Sequence, residues 1–174
     1  MNTPTPPPAA EGAAYLAPVG ARIGHVHLQV TDLDRALAFY QGVLGFEVML
    51  RYGDQAVFLS AGGYHHHIGL NTWHSRGGHP ARREGAAGLY HAAILYPTRA
   101  DLGRVLGRLQ AAGYPLAGAA DHGVSEALYL DDPDGNGLEL YWDRPQAEWP
   151  RAADGGVAMY TRALDVAGLL AAGT

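Results

Sequence analysis

Gly24-His25-Val26-His27-Leu28-Gln29-Val30-Thr31-Asp32-Leu33 changes its periodicity partway along. Up to Val30 the residues alternate, with His25, His27 and Gln29 on one face and Val26, Leu28 and Val30 on the other, as in a strand with one polar face. From Leu33 the apolar positions Leu33, Ala36, Leu37, Tyr40 and Leu44 follow helical spacing, with Asp32 placed as N-cap and Gly45 at the end. Three further strands are predicted, over Glu47–Tyr52, Gln55–Ser60 and His65–Trp73, the first two separated by the turn-forming pair Gly53-Asp54. The order is βαβββ.

The same order returns after a loop rich in Gly, Arg and His over residues 74–88. Leu89–Tyr96 reads as a strand, and Arg99–Ala112 as a helix with Leu102, Val105, Leu106 and Leu109 on one face and Gly113 as its stop. Strands are then expected through Leu116, over Ala127–Asp131 and over Gly137–Trp142, the last two joined by the strong turn Asp132-Pro133-Asp134-Gly135-Asn136. The period of 66 residues from His25 to His91 is too long for a solenoid and suits an internally duplicated domain. The expected fold is α+β: two tandem βαβββ units, about 22–73 and 88–143, pairing curved mixed sheets around a metal-containing cavity. Residues 21–145 would form this domain. Residues 1–20, rich in Pro and Ala, read as a flexible leader, and 146–174 as a C-terminal extension with a short helix over Leu164–Leu170.

Composition narrows the chemistry. The 174 residues carry a net charge of -5, which disfavours nucleic acid and anionic membranes as partners. With no signal-peptide order at the N-terminus and no apolar run of membrane-spanning length, a cytoplasmic location is expected. Cys is absent and all twelve basic residues are Arg, so disulfides, thiolate chemistry, Schiff-base lysines and P-loop lysines are excluded. Nine His remain, concentrating metal-binding and acid-base capacity in imidazoles and carboxylates. His25 and His91 open equivalent strands, and Glu139 lies in the last strand of the second unit. Two imidazoles and a carboxylate form the ligand set of non-haem Fe(II) sites that leave positions open for substrate and oxygen. His27 shares the parity of His25 and is the alternative ligand.

Val30-Thr31-Asp32-Leu33-Asp34-Arg35-Ala36-Leu37-Ala38-Phe39-Tyr40 closing with Leu44-Gly45-Phe46, together with His25 upstream and Asp132-Pro133-Asp134-Gly135-Asn136-Gly137-Leu138-Glu139-Leu140 downstream, resembles the vicinal oxygen chelate superfamily over about residues 22–145. That superfamily includes glyoxalase I, fosfomycin-modifying transferases and extradiol ring-cleaving dioxygenases. The resemblance implies a metal held by His25, His91 and Glu139. Glyoxalase I-like members add a carboxylate in the last strand of the first unit, where aligning Ile68-Gly69-Leu70 with Leu138-Glu139-Leu140 puts Gly69. A site with three protein ligands is implied, as in the extradiol dioxygenases of the catechol 2,3-dioxygenase type.

In those enzymes an acid-base histidine lies on the last strand of the first unit, which His67 matches by parity with Gly69; His66 would face away. Asp121-His122-Gly123-Val124-Ser125-Glu126-Ala127-Leu128-Tyr129 is similar to the segment carrying a further histidine and tyrosine, giving His122 and Tyr129 as catalytic partners. His67 would accept a proton from a catechol and later return it, with His122 and Tyr129 holding the substrate oxygen. The expected function is thus a metal-dependent extradiol dioxygenase of aromatic catabolism, with a small aromatic and O₂ as substrates. Fe(II) is the expected metal, although the same ligands accept Mn(II) or another divalent ion. Two alternatives stand beside it. One is another metalloenzyme of the superfamily, glyoxalase-like or a fosfomycin-type thiol transferase, the latter disfavoured by the absence of Lys. The other is a non-catalytic small-molecule-binding resistance protein. The apolar tail Leu164, Val166, Leu169 and Leu170 must dock on its own domain or on a partner chain. A homodimer using the tail or an outer sheet face is expected.

Overall fold

The alternating stretch forms strand β1 (Val26–Gln29), followed by helix α1 (Leu33–Leu37), whose N-cap Asp32 accepts a hydrogen bond from the Arg35 amide at 2.9 Å. These come from a computed structural model, which describes residues 15–79 and 87–174. The expected single helix to Leu44 instead widens into a π-helical stretch, Ala38–Val43, which turns both Phe39 and Tyr40 into the core, and the chain leaves through Gly45 at φ 84°. Strands β2 (Glu47–Tyr52), β3 (Ala56–Ser60) and β4 (Ile68–Asn71) complete a mixed sheet in the order β1-β4-β3-β2, with β1 parallel to β4. The last strand is shorter than the predicted His65–Trp73, because the histidine run precedes the ladder.

The second unit repeats the plan with β5 (Ala92–Leu95), α2 (Arg99–Ala111), β6 (Gly118–Asp121), β7 (Ser125–Asp131) and β8 (Gly137–Asp143). Its first strand is again parallel to its last. Thr98 caps α2 by accepting from the Asp101 amide, and Leu102, Val105, Leu106 and Leu109 are buried as their spacing predicts. Strand β6 starts at Gly118, just beyond the expected Leu116.

The fold is thus α+β, with two mixed sheets that remain separate ladders. One apolar cluster serves both units: Leu28, Val30, Tyr40, Leu59 and Leu70 from the first join Leu102, Leu106, Leu128 and Leu140 from the second. Polar bonds tie the units as well. The buried Tyr40 hydroxyl donates to Asp132 Oδ2 at 2.9 Å, while Thr31 through its amide and hydroxyl, and Arg35 through Nη2, donate to Asp134 Oδ1 at 3.1, 2.6 and 2.6 Å. The Asp-Pro-Asp-Gly-Asn turn is therefore held by the first unit's helix. Tyr40, an apolar position of the helical spacing, thus carries part of this latch while its ring stays buried.

The C-terminal segment folds back on its own chain. Strand β9 (Arg162–Ala163) pairs with β6 at the edge of the second sheet, and α3 (Val166–Ala172) packs on α2 with Leu169 fully buried. At Gly103 a Cβ would run into the Leu169 carbonyl and the Gly173 amide, so only glycine lets these helices touch through their backbones. Of the two expected docking modes for the tail, the structure shows the one on its own domain. Among the described residues no helix is long and apolar enough to cross a membrane.

Candidate active site

The two parallel ladders fix which positions correspond. His27 pairs with Gly69 and Ala93 with Glu139, and His25 and His91 each lie two residues before those strand partners. Across the next ladder Phe58 pairs with Gly69 and Tyr129 with Glu139. Because side chains alternate along a strand, His25, Gly69 and Phe58 in the first unit match His91, Glu139 and Tyr129 in the second. The alignment of Gly69 with Glu139 is thus reproduced by register.

The second unit carries a connected polar chain. His91 Nε2 lies 3.0 Å from Glu139 Oε2, the Tyr129 hydroxyl is 3.1 Å from Glu139 Oε1, and His122 Nε2 is 2.7 Å from the same hydroxyl. His122 Nδ1 in turn lies 3.1 Å from the Tyr160 carbonyl and 3.3 Å from the Thr161 hydroxyl. Burial, followed by the Glu139 carboxylate, pushes the Tyr129 phenol up to about 12, so it keeps its proton at neutral pH. Burial and then Glu139 also raise Asp143, four residues further along β8.

The first unit is built differently. The His27 ring lies over Gly69, where a Cβ would come within 2.9 Å of it, and so fills the place that holds a carboxylate in the second unit. His25 is exposed, with its ring 4.4 Å from that of His66. His66 also lies 5.0 Å from Phe58, on the face that parity had assigned it away from. The alternation does not reach it, because regular β4 pairing starts only at Ile68. His67 contacts Ser60 Oγ at 3.1 Å, the Ala61 amide at 3.3 Å and the Tyr64 ring. An amide only donates, so Nδ1 of His67 is the acceptor and the ring proton sits on Nε2.

Of the nominated residues, the structure brings together His91, Glu139, Tyr129 and His122. His25 and His67 stay on the first sheet, and among the described residues no three His, Cys, Asp or Glu side chains form one metal-holding group. The donor chemistry of the second sheet nonetheless suits a divalent ion: an imidazole nitrogen and a carboxylate oxygen approach each other to 3.0 Å, two ligand types that such an ion accepts. Sequence analysis missed Tyr160, Thr161 and Asp143. Extending the alternation of β8 from Glu139 through Tyr141 would have found Asp143, whereas nothing local signals the other two. His74 and His79 are exposed, and Arg82 and Arg83 lie outside the described residues. A cleft of about 710 Å³ near the start of α1 shares no residue with the polar chain, and Arg35 and Arg76 in its wall are paired with Asp134 and Asp54.

Residues 22–140 match the family model of the Glyoxalase/Bleomycin resistance protein/Dioxygenase superfamily, and the chain belongs to that superfamily. Among curated relatives, it is 45% identical over 148 residues to a catechol-2,3-dioxygenase of Bacillus subtilis (strain 168), covering 85% of this chain and 50% of that protein. It is 36% identical over 126 residues to biphenyl-2,3-diol 1,2-dioxygenase 3 of Rhodococcus globerulus, covering 72% and 65% respectively. The chain thus spans half to two thirds of the length of these relatives. Among solved structures, a lactoylglutathione lyase from Agrobacterium tumefaciens is similar at 27% identity and TM-score 0.54, covering 72% of this chain and 96% of that one. A domain of the same superfamily from Frankia sp. EAN1pec gives 27% and 0.57, covering 75% and 100%.

Proposed function

We propose that this chain is an Fe(II)-dependent extradiol-type dioxygenase that opens a catechol-like ring with O₂, its metal held by His91, Glu139 and His25. The observation that carries the proposal is the hydrogen-bonded chain from Glu139 through Tyr129 to His122, which sets a protonated phenol and an imidazole beside the ligand pair. Similarity to two ring-cleaving dioxygenases supports the same reaction class. His25 is preferred to His27 because it is the register equivalent of His91, while the His27 ring is packed over Gly69. Mn(II) is the alternative metal for such N/O ligands.

When bound, the ion supplies adjacent open positions for substrate and oxygen and passes charge between them. The protein's part is positioning and proton placement. Tyr129 stands on a strand, half-buried, with its proton retained, and is held from both sides by Glu139 and His122. It is placed to hold a diol oxygen with little reorganisation. His67, with its proton on Nε2, acts from the first sheet as a hydrogen-bond donor; as placed, it cannot accept a proton at Nε2 until its own has left.

A glyoxalase-like reaction has the Agrobacterium structural neighbour in its favour, but the fourth carboxylate it would use is replaced by Gly69 beneath the His27 ring. A homodimer in a cytoplasmic setting belongs to the same proposal. Its contact falls on the edge strand β2, where the exposed Leu50 and Tyr52 share the face of Phe58, since α3 is already packed on α2. Anaerobic reconstitution with Fe(II), metal analysis and a screen of catechols under oxygen for the yellow ring-opened product test the function. Less than stoichiometric iron, or stoichiometric iron with no product from any catechol, refutes it.

A further inference from the structure

We propose that the C-terminal segment running past Pro150 to Ala163, beyond the part matched by the family model, belongs to the active site, with Tyr160 and Thr161 as positioning residues that fix His122 in the tautomer protonated on Nδ1. Tyr160 grips His122 from two directions. Its amide donates to the His122 carbonyl at 3.3 Å, and its own carbonyl lies 3.1 Å from His122 Nδ1. A carbonyl can only accept, so that contact is a hydrogen bond only when Nδ1 carries a proton. The Thr161 hydroxyl, 3.3 Å from the same nitrogen, can donate or accept, and it accepts once the Tyr160 carbonyl has set the proton on Nδ1.

The segment is locked in register for this task. Arg162 and Ala163 pair with Asp121 and Ala120, directly before His122, and the Arg162 guanidinium lies 4.1 Å over the Tyr160 ring. Gly123 has φ 79°, and a Cβ there would come within 2.7 Å of the Tyr160 ring and 2.9 Å of Pro150. The residue after His122 is thus glycine where the strap passes closest.

The consequence falls on Tyr129. A neutral His122 protonated on Nδ1 presents a lone pair at Nε2, 2.7 Å from the Tyr129 hydroxyl. The phenol has one proton and two neighbours, Nε2 and Glu139 Oε1 at 3.1 Å. In this tautomer both neighbours are acceptors, so His122 competes with the carboxylate for the single phenolic proton. With the other tautomer, His122 would donate to Tyr129 and turn the phenol's proton towards Glu139. The strap thereby decides whether the phenol's proton is contested by His122 or belongs to Glu139 alone.

This inference rests on His122 and Tyr129 belonging to the site, yet its first test needs neither metal nor turnover. Long-range proton–nitrogen correlation spectra of metal-free, histidine-labelled protein at pH about 8, above the ordinary imidazole range, report which nitrogen of His122 is protonated. His122→Gln assigns the signal. Nδ1 protonation is expected, and a proton on Nε2 alone overturns the proposal. Gly123→Ala, which pushes the strap away, is expected to give mixed tautomers; an unchanged spectrum in a folded Gly123→Ala protein also counts against it. In the iron-loaded enzyme, Thr161→Val is expected to lower kcat about fivefold, the worth of one hydrogen bond, with KM within about twofold and recovery in Thr161→Ser. Unchanged kcat in Thr161→Val removes Thr161 from the positioning role.

Discussion

Tyr129→Phe isolates the central link of the polar chain. The change removes one oxygen that bridges His122 at 2.7 Å and Glu139 at 3.1 Å, while the ring, 6.0 Å from His91 and 6.3 Å from His122, has no reason to move. Both contacts depend on the one phenolic proton, and together they have a net worth of about 1–2 kcal/mol. The site is open enough for water to replace part of that, because the Glu139 side chain remains 15% exposed. The expected loss of stability is about 1 kcal/mol, or roughly 2–4 °C in thermal midpoint for a chain of this size. His91 and Glu139 themselves are untouched, so iron at saturating Fe(II) stays stoichiometric. Turnover is expected to fall by about 10²-fold, the scale for losing a positioned proton-handling group. The assay pairs iron analysis of anaerobically loaded protein with the rate of ring-opened product formation. Full turnover at unchanged iron content would refute any part for Tyr129 in the chemistry. Lost iron with a normal rate per bound ion would show that its role is to hold the carboxylate.

His67→Ala is expected to lower turnover while leaving iron content intact, and an unchanged rate removes His67 from the mechanism. Tyr40→Phe keeps the buried ring but deletes its bond to the Asp132 carboxylate, for a loss of about 2 kcal/mol by urea unfolding at unchanged slope; a loss under about 0.5 kcal/mol means that the latch between units contributes little. Burial, and then the charge of His25, holds His27 and His66 below the ordinary value of 6.5, so the folded chain binds protons less readily there than the unfolded chain. Their contribution to stability is complete above 6.5 and declines as pH falls through the interval down to their folded values. Asp143 runs the other way, its raised carboxyl stabilising at low pH and losing that effect as pH rises through its folded value. Thermal midpoints between about pH 7.5 and 5.5 should therefore fall less in a His27→Gln/His66→Gln variant than in the parent, and equal slopes would exclude the two imidazoles as the cause.

What the sequence disclosed and what it withheld follow from the range of the forces involved. Alternation, helical spacing and turn chemistry act over a few residues, and they suffice to locate both βαβββ units and to align Gly69 with Glu139, as the ladders do. The same local rule failed at His66, since parity has meaning only inside a paired strand and β4 starts at Ile68. Contacts made across long stretches of chain left no periodic trace: Tyr160 against His122, α3 against Gly103, Tyr40 against Asp132. The difference between the two units then acquires a physical meaning. Where the second has Glu139 beside Tyr129, the first has Gly69 beside Phe58, so one ladder carries a carboxylate held by a phenol and the other carries a phenyl ring edge-on to the exposed His27 ring. A first unit built this way can lend an imidazole to a metal but no carboxylate, and its apolar Phe58 faces the same side as His27 and His66. The repeated register supplies a symmetric scaffold, and the proposed chemistry draws on the positions where the two units differ.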